Sequence, residues 1–526
     1  MKKEDLFDAV TDINDGFIEE AAAGKRQRIA RIVRFTGNAA AILIIAVVLI
    51  RNGGFEKKKS FDAVSSTLAV AEESSMEESF ILDNKTADFE TEVNSMETTG
   101  SFIDDPNLVI ASSLPVMSKA PDSTDEMWES DSAYEKYEEL SKAHYSDIEK
   151  QREIIPAADD EADGFTGRLV TELFKDPKKE NLTVSPINVY LALSILAETT
   201  DKDTRSELLK VLGAKNIDGL RTNCNALWNY NYMDDGVTTS ILGSSLWLNS
   251  YIPFNTETLD IIAQNHRAST FSGEMGSPSL NASLQNWMNS MTGGLLEDQI
   301  SNLALTPDMV TSIITTIYYK NGWLEKFNAE ANTTETFKGA SGDKTVTFMH
   351  KGDSGTLYRG KDYTASALSM NNGYSMLFLL PDEGKTPSDL VKDKDTLKFI
   401  LSADNAPEGK HSMIFYNIPK FDISSQVELS DTLKALGISK VFDPKKANFK
   451  PLTDADLEIF VSDILHGARV KIDEEGCEAA AYTAIMMKAT GLITESYEFT
   501  LDRPFLFVIR NAMGAPLFVG VVNEIE

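Results

Sequence analysis

Hydrophobic and polar residues follow three different patterns along the chain, and these patterns predict its domain organisation. Residues 35–51 are largely apolar, and Ala39–Ile50 contains no polar side chain. Across residues 52–163 the apolar side chains are scattered, and no period is sustained. From residue 164 to residue 526, helical and strand periods recur as they do in globular domains. We therefore predict a short segment at 1–34, a membrane anchor, a linker and one folded domain.

The folded domain mixes helix and strand patterns without the regular alternation of a parallel α/β protein. This mixture predicts an α+β fold with large sheets. A helix is expected at Ile187–Ala197, with Ser185 and Pro186 at its start. Thr204 and Glu207 have the spacing of a capping box, which predicts the start of another helix. Apolar, β-rich runs predict strands at 312–320, 375–380, 499–509 and 517–522.

The apolar run at residues 35–51 has the features of a single-pass anchor. Phe35–Ile50 is 16 residues long, slightly short of the roughly 17–25 that a spanning helix needs, but Arg34 can snorkel to the interface. A cleaved signal peptide would begin nearer residue 1 and be cut closer to the apolar run. Five basic residues precede the run and four follow it, so we expect residues 1–34 in the cytoplasm and the folded domain outside the cell membrane.

Residues 52–163 are dominated by Ser, Thr, Glu and Asp. A segment of this composition buries too little apolar area to offset the entropy lost on ordering. We therefore predict an acidic, flexible linker, whose proteolysis would release the domain. Within it, Tyr134–Arg152 has helical spacing, which predicts a short helix before the folded domain.

Charge and composition exclude several classes of function. The chain has 50 Lys and Arg against 81 Asp and Glu, a formal net charge of −31. Such acidity argues against general binding to nucleic acid and against docking flat on an anionic membrane. Two cysteines and five histidines leave little material for a metal site, so no metal and no cofactor are expected.

One motif suggests catalysis, but its surroundings do not. Gly352–Gly355 reads Gly-Asp-Ser-Gly, the string around the nucleophile of chymotrypsin-like proteases. Such a nucleophile requires a histidine base and an aspartate that orients it. His266 and His350 lie upstream, but neither has the sequence context of that base. Gly, Asp and Ser are also common turn residues, so we predict a turn and no enzyme.

Residues 471–491 are the most informative segment. A charged turn with one glycine leads into small residues and then into a mixed stretch. Ala, Met and Glu favour a helix. A strand is the alternative, in which Cys477, Ala479 and Ala481 face one side and are small enough to slide between two other strands. Gly476 would supply the backbone freedom of a hinge.

These residues resemble the hinge and reactive-centre loop of serpins, the serine protease inhibitor family. Other motifs of that family occur in the expected order across about Phe165–Glu526. They are Asn181–Asn188, Thr204–Leu208, Ile317–Trp323, Leu380–Pro381, Ile418–Phe421, Leu433–Phe442, Asp502–Phe507 and Leu517–Gly520. Each motif alone is weak, but the ordered set is specific.

The resemblance implies a serpin fold, with large mixed β-sheets, about nine helices and an exposed reactive-centre loop. It implies a monomeric suicide inhibitor without catalytic residues of its own. The predicted anchor, the acidic linker and the lack of disulfides indicate a bacterial cell surface. The target serine protease cleaves the loop and becomes an acyl-enzyme in a covalent complex. The upstream part of the loop then inserts into the largest sheet and drags the protease along. Its oxyanion hole is deformed before water completes the hydrolysis.

The resemblance also assigns roles to residues. The hinge is formed by Glu474, Gly476, Cys477, Glu478, Ala479, Ala480 and Ala481. The polar cluster that controls sheet opening is formed by Ser185, Asn188, Thr315 and His466. Thr315 stands where the family commonly has asparagine. The family spacing from Glu474 places the reactive bond at Thr490–Gly491, which suits elastase-like proteases.

Several alternatives remain open at this point. A reactive bond at Lys488–Ala489 would suit trypsin-like enzymes, and one after Met487 would suit chymotrypsin-like enzymes. Cysteine proteases are a further class of target. A serpin-fold binding or structural module that does not inhibit is the alternative of a different kind. The small residues from Ala479 to Ala481 favour the inhibitor.

Overall fold

The computed structural model describes residues 104–525 except 113, 116, 122–129, 158, 160–161, 295–302, 462–463 and 478–494. This described part contains ten α-helices and seventeen β-strands, so the predicted α+β class is confirmed. The helices are α1 (Asp131–Gln151), α2 (Phe165–Phe174), α3 (Pro186–Thr199), α4 (Lys202–Val211), α5 (Ile217–Asn231), α6 (Thr256–His266), α7 (Pro278–Thr292), α8 (Pro387–Lys392), α9 (Lys394–Leu401) and α10 (Ser430–Leu436).

The first sheet has eight strands and contains both parallel and antiparallel pairs. In spatial order its strands are β1 (Leu108–Ile110), β5 (Ala268–Gly273), β4 (Thr238–Asn249), β6 (Thr311–Gly322), β14 (Gly476–Cys477), β13 (Leu465–Ile472) and β12 (Phe421–Glu428), with β3 (Met233–Asp234) paired to β4. The two-residue strand β14 is antiparallel to both β6 and β13. Strands β6 and β13 therefore run parallel to each other.

The second sheet has nine strands. In spatial order they are β15 (Ser496–Thr500), β11 (Gly409–Pro419), β8 (Gly342–Gly360), β9 (Tyr363–Ser369), β10 (Ser375–Pro381), β16 (Phe505–Arg510), β17 (Pro516–Val522) and β2 (Leu182–Val184), with β7 (Thr333–Gly339) paired to β8. Its central strands β16 and β17 are buried throughout. Their continuous apolar sequence fits strands that are covered on both faces.

Adjacent residues of β6 face opposite sides of the first sheet. Tyr319 points towards the second sheet, with its ring 6.2 Å from that of Phe518 on β17. Tyr318 points the other way, against Gly293 at the end of α7. Helix α7 therefore covers the outer face of the sheet, whereas α3, which packs against both β6 and β17, lies between the sheets.

Most predicted elements of the folded domain are confirmed. Helix α3 starts at Pro186 after the N-cap Ser185, and β6, β10 and β17 cover the predicted strands. The capping box at Thr204 is wrong, because α4 begins earlier, after Asp201. The Thr204 hydroxyl instead lies buried, where it donates to the Lys446 carbonyl and accepts from a backbone N–H.

The expected single strand at 499–509 is in fact the end of β15 and most of β16. Pro504 precedes β16 and has no N–H to donate to a ladder. Arg503 donates from its guanidinium to the carbonyl of Pro381 at 2.8 and 3.1 Å. At this point the chain leaves the edge position beside β11 and enters the position between β10 and β17. A continuous apolar pattern in the sequence does not reveal this change.

The linker prediction differs from the structure in the part that is described. Strand β1 and the 21-residue helix α1 both lie within residues 52–163. The helix agrees with the periodicity of Tyr134–Arg152, but the strand was not predicted. Leu108 and Ile110 pack against the core of the folded domain, so these residues find their apolar contacts outside the segment.

The predicted anchor at 35–51, with residues 1–34, lies outside the described residues. Among the helices that are described, none combines the length and the apolarity needed to cross a membrane. The chain's most apolar run is therefore not represented in this result.

Candidate functional site

The candidate loop joins the two sheets. Residues 478–494, which contain Glu478, Ala479, Ala480, Ala481, Lys488, Ala489, Thr490 and Gly491, lie outside the described residues. Both flanks are described. Cys477 ends β14 in the first sheet, and Ser496 begins β15, which pairs with β11 of the second sheet. The ends of the loop are therefore held by different sheets.

The hinge leaves β13 through a tight turn that is held from both sides. The Asp473 carboxylate accepts from the backbone N–H groups of Glu475 and Gly476 at 2.9 and 3.3 Å. The Trp323 indole N–H donates to the Asp473 carbonyl at 2.9 Å. The backbone N–H of Phe327 donates to the Glu474 carbonyl at 3.0 Å. These contacts direct the chain to the position between β6 and β13, where it forms β14.

Gly476 occupies a position that other residues would not fit. Its φ of 151° lies in a region that L-residues with side chains rarely adopt. A Cβ at this position would also lie 2.3 Å from the carbonyl oxygen of Asn321. The close approach of two backbones is what allows β14 to pair with the end of β6. The hinge role expected for Gly476 thus has a steric basis.

Cys477 is the first loop residue whose side chain is buried in the sheet. It pairs with Asn321 on one side and with Ile472 on the other, and its side chain is only 3% exposed. The thiol lies close enough to the Tyr319 hydroxyl to contribute to the raised pKa of that group, which is mainly due to burial. Cys477 therefore faces inwards, towards the second sheet.

Glu474 carries the main charge contacts of the hinge. Its carboxylate forms an ion pair with Lys420 and accepts from the side-chain amide of Asn332. Burial acts to raise the pKa of Glu474, but these hydrogen bonds outweigh it and hold the pKa below its usual value. The carboxylate stays ionised at neutral pH and anchors the turn to the second sheet.

The four residues of the expected polar cluster do meet, beneath the first sheet. The backbone N–H of Ser185 donates to Nε2 of His466 at 3.1 Å. The Ser185 hydroxyl caps α3 by accepting from the backbone N–H of Asn188 at 3.4 Å. The Thr315 hydroxyl lies 3.5 Å from the Asn188 carbonyl oxygen. Elements α3, β6 and β13 are thus joined by one set of polar contacts.

The electrostatics of this cluster favour an uncharged histidine. Burial lowers the pKa of His466 to about 4, and its Nε2 must be unprotonated to accept from Ser185. The shorter side chain of Thr315 reaches only the backbone of Asn188. Within the described residues, the amide nitrogen of the Asn188 side chain is buried without a hydrogen-bond partner. Such an unsatisfied donor costs about 1–3 kcal/mol.

The Gly-Asp-Ser-Gly motif lies in the middle of β8, so the turn predicted there is wrong. Ser354 on this strand lies 3.1 Å from Nε2 of His411 on β11, a histidine that the sequence did not single out. His411 is exposed and Ser354 is half-buried, so the pair lies at the surface of the second sheet. His266 and His350 contact other groups, Glu198 and Glu335 respectively. The motif therefore lacks the buried, acid-supported arrangement that a catalytic serine requires.

Asn321 contributes to the site but was not identified as functional from the sequence. The side-chain amide of Asn321 donates to the Tyr319 hydroxyl and to the Asn371 carbonyl, both at 3.1 Å. These bonds hold the end of β6 where β14 pairs with it. A buried asparagine in an apolar strand was the available signal. No group of three or more metal-ligating side chains occurs in the described ranges.

Comparisons with known proteins agree with the resemblance. Residues 160–525 match the sequence model of the family described as "Serpin (serine protease inhibitor)". Serpin-Z1C of Triticum aestivum is 26% identical over 379 residues, which cover 69% of this chain and 95% of that protein. Glia-derived nexin of Homo sapiens is 27% identical over 392 residues, which cover 70% and 94%. The native-state structure of the thermophilic serpin Tengpin superposes with a TM-score of 0.61 at 23% identity, covering 71% of this chain and 98% of Tengpin.

Proposed function

Since the chain belongs to the serpin family, whose members are protease inhibitors and not enzymes, we propose that it is a suicide inhibitor of serine endopeptidases. The observation that carries this proposal is the position of Gly476 and Cys477. These two residues already form a short strand between β6 and β13, where the rest of the loop would enter. A loop that begins its insertion in the intact chain is suited to continue it once cleaved.

The inward side chain of Cys477 sets the register for the residues that follow. Side chains alternate across a strand, so Ala479 and Ala481 would follow Cys477 towards the buried face. Glu478, Ala480 and Tyr482 would face outwards. Small residues on the buried face support insertion, because a large or charged side chain there would have to displace the packed layer beneath the sheet.

The covalent step follows from this arrangement. The protease serine attacks the carbonyl carbon of the residue before the reactive bond and forms an ester, and the amine of the next residue leaves with a proton. Freed from β15, the upstream segment can pair with both β6 and β13 as an antiparallel strand. The bound protease moves with it, and its deformed oxyanion hole no longer stabilises the transition state for hydrolysis.

The reactive bond is proposed at Thr490–Gly491, with an elastase-like enzyme as the target. Support comes from the family spacing counted from Glu474 and from the small residues before the bond. Lys488–Ala489 is the alternative, and it would direct the inhibitor to trypsin-like proteases. Peptide mapping by mass spectrometry after incubation with elastase or trypsin distinguishes the two bonds.

The test of the mechanism compares two neighbouring substitutions. We expect the wild-type chain to form a complex with elastase that survives SDS. Ala479→Arg should abolish the complex and leave a cleaved chain, because the arginine would point into the buried layer. Ala480→Arg, the matched control, should still form the complex, since its side chain would face outwards. Clean cleavage of the wild type across a panel of serine and cysteine proteases would instead support a non-inhibitory binding module.

We further propose that residues 35–51 anchor the inhibitor in the cell membrane, with the serpin domain outside the cytoplasm. The apolar composition of Ala39–Ile50 and the basic residues before it support this location. The full chain should stay with membranes after alkaline carbonate washing, whereas a chain lacking residues 35–51 should be released. Release of the full chain with its N-terminus intact would contradict the anchor.

A further inference from the structure

A segment that precedes the serpin domain adds a strand to the outer edge of the first sheet. Strand β1 pairs with β5 in antiparallel fashion. The backbone N–H of Ser272 donates to the Asn107 carbonyl at 2.8 Å. Beyond the strand, Ser112 donates its N–H to the hydroxyl of Ser269 at 3.1 Å, and the two hydroxyls lie 2.9 Å apart. These contacts fix residues 104–112 along the edge.

The same segment is bonded to the helix that covers the sheet. The side-chain amide of Asn107 donates to the hydroxyls of Ser279 and Ser283 at 3.2 and 2.9 Å. The Ser283 hydroxyl donates in turn to the Asp105 carboxylate at 2.8 Å. Both serines lie in the first turns of α7, which packs on β4, β5 and β6. Strand edge and covering helix are thus joined by one short stretch of chain.

Helix α1 docks further along, at the turn that leads into β4. The ring of His144 is 3% exposed, with Nε2 at 3.3 Å from the buried Asp235 carboxylate and Nδ1 at 3.2 Å from the Ser118 hydroxyl. The Asp235 carboxylate also accepts from the side-chain amide of Asn372, in the turn before β10, at 2.7 Å. Gln151 donates to two carbonyl oxygens at the end of α5 at 2.8 and 2.9 Å.

A chain of side chains runs from the end of α1 to the hinge. The guanidinium of Arg152 lies over the ring of Tyr230 at 4.8 Å, and its charge acts on the buried hydroxyl of Tyr374. The Tyr374 ring lies 5.7 Å from that of Tyr319. Tyr319 in turn lies beside Cys477, the inserted residue of the hinge. Four side chains, each beside the next in space, therefore connect the end of the N-terminal helix with the start of the loop.

The position of these contacts matters because insertion requires β6 and β13 to separate. Strands β1, β5 and β4 and helix α7 all lie on the β6 side of the gap that would open between β6 and β13. In the described part of the chain, the ladder pairs linking β6 to β13 run through the two residues of β14. A segment that is bonded to β5 and α7 on the β6 side, and that also contacts Tyr374 and, through Asp235, Asn372 in the turn before β10 of the second sheet, resists displacement of the β6 side.

We propose that the described residues of 104–121 (all except 113 and 116) and residues 130–152, here called the N-terminal brace, restrain the opening of the first sheet and so set the rate of loop insertion. This inference rests on the proposed function. The brace stabilises the closed sheet by contacts that it loses or strains when the β6 side moves, and only such differential contacts shift a conformational equilibrium.

The test measures sheet opening without a protease. A fluorescent synthetic peptide with the sequence of residues 478–490 is incubated with the full chain, and its incorporation is followed by native gel electrophoresis. We expect the double variant His144→Ala, Arg152→Ala to incorporate the peptide about tenfold faster than the wild type. The reason is that loss of the brace contacts lowers the free-energy barrier to insertion. Glu139→Ala, an exposed substitution on α1, is the matched control and should leave the rate unchanged.

A second variant separates restraint from general destabilisation. Arg152→Lys keeps a positive charge beside Tyr374, so it should incorporate the peptide at close to the wild-type rate. Equal rates in the wild type and the double variant, with both folded by circular dichroism, would overturn the brace. So would incorporation by neither chain, because there would then be no insertion to restrain. Failure of the chain to trap any protease, with the tenfold difference still present, would reject the proposed inhibition but keep the brace.

Discussion

At the scale of single residues, the site depends on buried groups whose surroundings fix a backbone conformation, a side-chain direction or a protonation state. Gly476 is required by a backbone approach that leaves no space for a Cβ. Cys477 carries a small, buried thiol within the first sheet, and its inward direction is the basis of the register proposed for the loop. His466 is neutral because burial lowers its pKa to about 4, and its ring accepts a backbone hydrogen bond. Each is a residue whose replacement should change a specific measurement.

His466 should make the stability of the domain depend on pH in a defined window. Its pKa is about 4 in the folded chain and about 6.5 when unfolded, so the unfolded state binds the proton more tightly. The stabilisation is present above pH 6.5 and is lost as the pH falls towards 4. Between pH 7 and pH 5 we expect the free energy of unfolding to fall by about 2 kcal/mol, measured by urea denaturation.

The variant His466→Gln provides the comparison for this effect. Its side-chain oxygen can accept from Ser185 but does not titrate. We therefore expect the variant to lose about 2 kcal/mol less than the wild type over the same pH range. The carboxylates of the chain titrate in both proteins and cancel. Identical pH profiles for the two proteins would show that His466 does not carry this dependence.

At the scale of elements, the N-terminal helix and the helix between the sheets differ sharply in burial. Nearly every residue of α3 is buried. Among the described side chains of α1, the buried ones are Ser141, His144 and Ile148. Helices held by few buried contacts open locally at low cost, and regulatory elements are commonly of this kind. Helix α1, which belongs to the proposed brace, is therefore held less firmly than the core helix α3.

Hydrogen exchange should separate these two helices. We expect the backbone amides of α1 to exchange at least about 100-fold faster than those of α3, because α1 can open without unfolding the domain. Exchange of the full chain followed by mass spectrometry of peptic peptides gives both rates in one experiment. Equal protection of α1 and α3 would mean that the helix opens only with the whole domain.

At the scale of the whole molecule, the proposed mechanism requires an intact fold that is not the most stable one. The strands β6 and β13 run parallel, so when they separate they can take one antiparallel strand between them. Within the described residues, β14 is the part of that strand already present. Completing that strand adds hydrogen bonds to both neighbours. In the proposed mechanism, the covalent connection of the loop to β15, which pairs with β11, prevents further insertion until the loop is cut.

Cleavage in the loop should therefore raise the melting temperature. An inserted segment of about ten residues, at about 1 kcal/mol net per hydrogen bond, adds on the order of 10 kcal/mol. For a domain of about 363 residues, whose unfolding entropy is roughly 0.76 kcal/mol/K, that gain corresponds to a rise of about 10–15 °C. The measurement is a calorimetric scan before and after nicking, with nicked Ala479→Arg as the control that should gain little. Unchanged melting of the nicked wild type would exclude a metastable native state.

Much of this organisation could be predicted from the sequence, because local rules determine it. The start of α3 at Ser185 and Pro186 follows from capping, and the apolar runs of β6, β10 and β17 follow from burial. The fold itself was predicted from the serpin motifs and their order along the chain. The capping box at Thr204 failed because its hydroxyl bonds to a segment more than 200 residues away. The turn predicted at Ser354 was wrong because pairing of Gly352–Gly355 with β11 overrode the local turn preference.

The sequence by itself determined which residues are small enough to enter a sheet and which segments can form helices, since these depend on side-chain size and spacing. Only the tertiary structure decided which face Cys477 occupies, that Thr315 reaches the backbone of Asn188, and that part of the acidic linker is a strand of the main sheet. Those outcomes depend on contacts between residues far apart in the chain, and the energy of such contacts is absent from any local pattern.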